Sequence, residues 1–191
     1  DNFCFVNIAV PVKHRYFHTT ISIALEKANE IMEPTKENTL YLTIKQVYFD
    51  QIIAGTKKEE YREIKGTTYK KYLACDEDGN PYFDDEKINP DNPLAGDIFV
   101  WNNGIYPFFP KDDLKYLILA VGYAKERDTS IVEVKKVTFE PLPNPNNSGK
   151  IARIHEDPET GAWNVDDNGE LCLWQIVYHL GNVVELHRKE K

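Results

Sequence analysis

The stretch "LTIKQVYFDQIIAGTKKEEYREI", residues 42–64, changes its periodicity twice, and those two changes decide how the chain is built. Leu42 and Ile44 continue an alternation begun at Leu40 and set against Tyr41 and Thr43, the pattern of a half-buried strand. From Gln46 the spacing lengthens. Tyr48 with Ile52 and Phe49 with Ile53 stand four apart, as neighbours on a helix do, and Gly55 falls where a left-handed residue ends such a helix. The charged run behind it, "KKEEYREIK" at 57–65, reads as a strand again. On a strand, Glu60 and Arg62 project from one face, roughly 7 Å apart along the chain. Lys57 has the opposite parity and joins them only if the strand starts irregularly after the glycine turn. An arginine fork matches phosphate geometry and a lysine adds a mobile point charge, so the trio suits an anion. The same charges also suit a cross-strand ion-pair ladder on a solvated face, and the charge pattern alone leaves both readings open.

Working outward, "TTISIALEKANEIM" at 19–32 repeats apolar residues at Ile21, Ala24, Leu25, Ala28 and Ile31. Thr19 or Thr20 is placed to cap this helix and Pro34 to stop it, which predicts an N-terminal arm and helix over 1–38 packed on the core. Downstream, "TTYKKYLAC" reads as a short helix and "CDEDGNPYFDDEKINPDNP", about 75–93, as an acidic surface insertion rich in turn residues. Strands are expected in "GDIFVWN", "YLILAVGYA", "SIVEVKKVTFE", "KIARIHE", "ELCLWQIVYHL" and "VVELHRK", with turns at signals such as "PETG", "DDNGE" and "LGN". Many short strands with few helices predict an α+β protein built on a closed or nearly closed β-barrel over 39–191.

A chain of 191 residues closes one core without disulfides or metals. The net charge of −8 repels polyanions, so nucleic-acid contact must come from a local basic patch, and duplex DNA is an unsuitable partner. Cys4, Cys75 and Cys172 are odd in number and widely spaced, which suits reduced thiols in a cytoplasmic protein better than a disulfide framework. The opening apolar run is interrupted by Pro11 and falls short of the ~20 residues that cross a bilayer, so no membrane association is expected. The runs "DEDGN" and "DDNGE" lack the glycine and glutamate of a calcium loop, the five histidines show no HExxH spacing, and neither a metal nor a cofactor is expected. His179, in "IVYHLG", reads as a strand residue satisfied by a neighbour.

The strand, short helix and G-x-K-x-x-E-x-R pattern, filled here by Gly55, Lys57, Glu60 and Arg62, resembles the opening of the ASCH domains of the PUA-like superfamily. The resemblance covers residues 39–65, and "GDIFVWNNG" and "WQIVYHLGNVVEL" are also similar to later parts of such domains. It implies a PUA-like β-barrel with a cleft lined by Lys57, Glu60 and Arg62, a binding module for RNA or a nucleotide-like small ligand. It implies as an alternative a hydrolase acting on RNA or a modified nucleoside. There the position of Glu60 holds a threonine nucleophile in the family's amidohydrolases, and a carboxylate cannot become an alkoxide. If the chain is an enzyme, Glu60 is then the expected general base and Lys57 the group polarising a carbonyl or phosphoryl oxygen. A protein-interaction module is the second alternative. In "VWNNGIYPFFP", Trp101, Tyr106, Phe108 and Phe109 are placed either to stack a base or to pack a barrel mouth. Asn103 and Tyr106 are expected on the rim of the cleft.

Overall fold

Strand β1, Thr39–Ile44, forms where the alternation placed it, with Leu42 and Ile44 buried and Tyr41 exposed. The computed structural model describes residues 33–190 apart from 89, 93, 95, 145, 167 and 168, and its elements belong to the unit made by residues 34–191. The helix expected over 19–32 lies outside the described residues.

Helix α1, Gln46–Ile53, buries Phe49 and Ile52 against the sheet and leaves Tyr48 in solvent. It ends in a Schellman motif. Gly55 sits at φ +72°, its N–H donates to the Ile52 carbonyl, and the Thr56 N–H donates to the Gln51 carbonyl, each over 2.9 Å. The Lys57 N–H also reaches the Gln51 carbonyl, at 3.1 Å, so Lys57 belongs to the helix cap and strand β2 runs only from Glu59 to Glu63. This is the irregular strand start that lets Lys57 join Glu60 and Arg62.

Three long strands complete the main sheet: β3 (Tyr116–Val121), β4 (Thr129–Pro141) and a late strand, Trp174–His187. Between β4 and that late strand come β5 (Pro143–Asn144), β6 (Asn147–Ile151), β7 (Arg153–Glu156), β8 (Trp163–Val165) and β9 (Leu171–Cys172), which makes the late strand β10. The sheet order is β1-β3-β4-β10-β2; β1 and β3 are parallel and every other pair is antiparallel. β3 is a near-continuous apolar run, Tyr-Leu-Ile-Leu-Ala-Val, as a strand with no exposed residue on either face should be. The small strands form a β5-β6 pair and a β8-β7-β9 sheet.

One apolar cluster joins α1 to the inner face of the main sheet through Leu42, Phe49, Ile52, Leu117, Leu119, Ile176 and Tyr178. A second surrounds the fully buried Trp174 with Ile64, Leu73, Val100, Tyr106 and Phe108. Phe139 packs against both. The acidic segment around 75–93 is partly held by this second cluster: Phe83 bridges to Phe108, and Ile88 is buried. Its "DEDGN" run closes a turn, with the Asn80 N–H and side-chain amide both donating to the Asp76 carboxylate, at 2.8 and 3.0 Å.

The fold is therefore mixed α+β and mostly sheet, and three expectations need correction. The closed barrel is not formed: β1 and β2 are the two sheet edges, and no ladder joins them among the described residues. The two edges stand apart, and a side chain takes the place of a ladder between them: the Arg62 guanidinium donates to the Thr43 carbonyl at 3.0 Å. "GDIFVWN" is a turn with a single bridge, Val100 to Leu171, instead of a strand. Asp97 decides this, its carboxylate accepting the Phe99 N–H at 2.8 Å and its carbonyl the Val100 N–H at 3.0 Å, local bonds that compete with a ladder. "LGN" is not a turn; β10 runs through it with shifts of register against β4. Gly181 serves close approach there, since a Cβ would stand 2.8 Å from that of Glu133.

No helix among the described residues is long and apolar enough to cross a membrane.

Candidate functional site

A cavity of about 470 Å³ opens between the two sheet edges, lined by Thr43, Ile44, Lys45, Tyr48, Lys57, Glu60, Tyr61 and Arg62. β1 supplies one wall, β2 the other, and α1 with its glycine cap carries the chain between them. Residues that are neighbours in sequence thus face each other across the gap. Lys57, Glu60 and Arg62, expected to converge on one cleft, all line this one.

Glu60 is the hub. Its side chain is 5% exposed; Oε2 lies 3.1 Å from Lys57 Nζ, and Oε1 accepts from Arg62 Nη1. Across the β2–β10 ladder it stands opposite Tyr178, so it points to the inner face of the sheet. Arg62 also donates from Nη1 to the Tyr61 carbonyl at 2.7 Å and from Nη2 to the Thr43 carbonyl across the gap. Part of its donor fork is thus spent on holding the edges together. Lys57 keeps a different environment. Its ammonium donates to the Glu59 carbonyl and lies 5.8 Å from the ring centre of Tyr48 and 5.1 Å from that of Tyr61. Both residues are partly exposed, one on the helix and one on the strand.

The lining carries three cations, Lys45, Lys57 and Arg62, against one carboxylate, so the cleft is locally positive in an acidic chain. Lys71 adds to that field: burial, and then the charge of Arg62, holds its ammonium below the usual lysine range. The Tyr61 phenol is pushed up to about 12, first by its hydrogen bond to the Glu59 carboxylate and then by burial, so it stays a neutral donor. Together these groups offer an anion a positive cleft and offer a planar ring two aromatic faces.

The two residues expected on the rim are elsewhere. Tyr106 is 8% exposed and belongs to the second cluster, its ring 4.6 Å from Phe139, 4.7 Å from Trp174 and 5.1 Å from Phe108. Its hydroxyl has no hydrogen-bond partner among the described residues, and burial raises its pKa. The apolar demand of the Trp174 cluster outweighs the polar end of the ring. Asn103 is exposed at φ +52° in a turn with Gly104 and does not line the cleft. Trp101 likewise stacks on Trp174 and lies beneath the Arg153 guanidinium, 4.3 Å away.

Sequence reasoning missed Lys45, Tyr48, Tyr61 and the Thr43 carbonyl. For Tyr61 a signal was present: it is the odd-parity residue between Glu60 and Arg62, and an edge strand lets such a ring turn towards the gap. Tyr48 was paired with Ile52, but Phe49 and Ile52 form the buried stripe of α1. Among the described residues no group of three or more His, Cys, Asp or Glu side chains is arranged to hold a metal ion. No protein-family model, curated protein or solved structure matches the chain.

Proposed function

We propose that the cleft binds a nucleotide-like ligand or a short single-stranded RNA segment, the phosphate beside Lys57 and the base against Tyr48 or Tyr61. The observation that carries this is the placement of one ammonium between two exposed tyrosine rings, inside a positive cleft on an acidic protein. Stacking on tyrosine tolerates any base, and only a few phosphates find cations, so the reading favours small or single-stranded ligands over duplex. The resemblance of residues 39–65 to ASCH domains supports the same reading, with the sheet taken as a PUA-like barrel left open between its edges.

Binding is favoured over hydrolysis by the state of Glu60. Both of its oxygens are already engaged, and to accept a proton from a nucleophile it would have to release a cation.

The test is a panel of nucleosides, nucleoside monophosphates and short single-stranded RNAs, followed by calorimetry for binding and chromatography for products. Monophosphates are expected to bind at least ~10-fold more tightly than nucleosides, through the charge-assisted contact with Lys57. Lys57→Met should erase that difference. Tyr48→Ala should weaken both classes, by about 1–3 kcal/mol if the base stacks there. No binding at millimolar concentration, or equal binding by Lys57→Met, defeats the proposal; product formation would move it to the hydrolase class.

A further inference from the structure

The outer face of the main sheet carries a second constellation that the cleft does not use. Three adjacent strands supply one polar side chain each: Thr138 from β4, His179 from β10 and Glu59 from β2. Glu59 is directly opposite His179 in the β2–β10 register, while Thr138 is diagonal to it, paired with Val177. Alternation puts all three on the same side. Thr138 Oγ1 is 2.9 Å from His179 Nε2, and His179 Nδ1 is 3.1 Å from Glu59 Oε1. The second oxygen of Glu59 accepts from the Tyr61 hydroxyl, which fixes the carboxylate from its far side. Val177, opposite both Thr138 and Tyr61, is fully buried beneath the group, while His179 and Glu59 keep 32% and 42% of their side chains in solvent.

Hydroxyl, imidazole and carboxylate in this order and at these distances are the parts of a nucleophilic relay. We propose that Thr138, His179 and Glu59 form an acyl-transfer site for small carboxylic esters, adjoining the cleft through Tyr61. The imidazole with its proton on Nδ1, facing Glu59, presents Nε2 as the acceptor for the Thr138 proton. Thr138 Oγ bonds to the ester carbonyl carbon as His179 takes that proton. The bond to the leaving oxygen breaks, and His179 returns the proton to it, giving an alcohol and acyl-Thr138. Water then attacks the acyl carbon with His179 again as base, releasing the carboxylic acid and restoring the hydroxyl. Lys136 lies opposite His179 and two residues from Thr138 on the same face, so its ammonium is within side-chain reach of the developing oxyanion. With His179 and Glu59 partly in solvent, the group suits a small, activated ester over a large acyl chain.

The probe is p-nitrophenyl acetate, offered to the full chain at neutral pH, with release followed by absorbance and the acylated residue found by peptide mass spectrometry. The expected result is an acetyl group on Thr138 and a release rate that falls at least ~100-fold in Thr138→Val and in His179→Gln, the scale of general-base assistance. Thr138→Ser should keep both the label and the rate, which separates lost chemistry from lost folding. Acetyl groups on lysines alone would overturn the proposal. So would a Thr138→Val variant that keeps the rate while His179→Gln loses it, since the imidazole would then be acting by itself.

Discussion

Replacing Glu60 by Gln keeps the shape of the hub and removes its charge, leaving Lys57 and Arg62 to face each other. In the native cleft the carboxylate is 5% exposed and its two cations 19% and 21% exposed. Breaking a fully buried ion pair costs about 3–5 kcal/mol, and partial hydration of both cations lowers that to about 2–3 kcal/mol. For a domain of this size the melting temperature should drop by roughly 5–10 °C. Removing one cation is a smaller loss. Lys57→Met leaves Glu60 bound to Arg62 and should cost only about 1 kcal/mol. The decisive comparison is the double variant, because Lys57→Met removes the repulsion that Glu60→Gln creates. Two unpaired cations sharing this space repel by about 3 kcal/mol at an effective dielectric of 20. Lys57→Met/Glu60→Gln should therefore melt above Glu60→Gln alone. Urea and thermal unfolding of the four proteins give the cycle directly. If the double variant is less stable than Glu60→Gln by the full cost of Lys57→Met, the three charges do not act as one unit and the account of the cleft is wrong.

A second prediction concerns acid. The Asp128 carboxyl is held down to about 2 by the Lys189 N–H, then Arg188 and Gln46, against an ordinary value of 3.8. Its folded pKa is depressed, so its stabilising contribution is present above about pH 4 and lost as the pH falls towards 2; Asp128→Asn should flatten the melting-temperature curve across that window, and an unchanged slope rejects the assignment. The third is Gly55→Ala, which meets no atom within 4 Å but must adopt φ +72°. Only backbone strain is at stake, about 1 kcal/mol by urea unfolding, and Gly55→Asn should lose less; a loss above ~3 kcal/mol would mean a packing clash that the structure does not contain.

What the sequence made legible is what local physics controls. β1, α1 and β2 follow from one alternation, one helical spacing and one glycine, with no distant partner needed to choose among them. Lys57 was recoverable because its parity problem has a local solution in the helix cap. The open sheet was not legible, since whether β1 meets β2 depends on how far β3, β4 and β10 curl between them. Tyr106 misled for a related reason: a tyrosine beside two asparagines and a glycine suggests a rim, and only the distant Trp174 and Phe139 bury it. Gly181 shows the converse error, where a turn signal marks close approach to Glu133 inside a strand. The relay of Thr138, His179 and Glu59 joins residues from three strands and leaves no motif in the chain.

Strand β2 has one hydrogen-bonded neighbour in the sheet, and that neighbour is β10, whose pairing residues are Gln175–His179. All the lining of the cleft is encoded between residues 43 and 62. During synthesis those residues leave the ribosome well before Trp174–His187, so one wall of the cleft has no ladder to join until that strand follows. Pairings so distant in sequence are slow to form, so the cleft should be among the last features to appear in folding. A fragment ending before Trp174 would contain every side chain of the cleft and lack the strand that holds one of its walls in place.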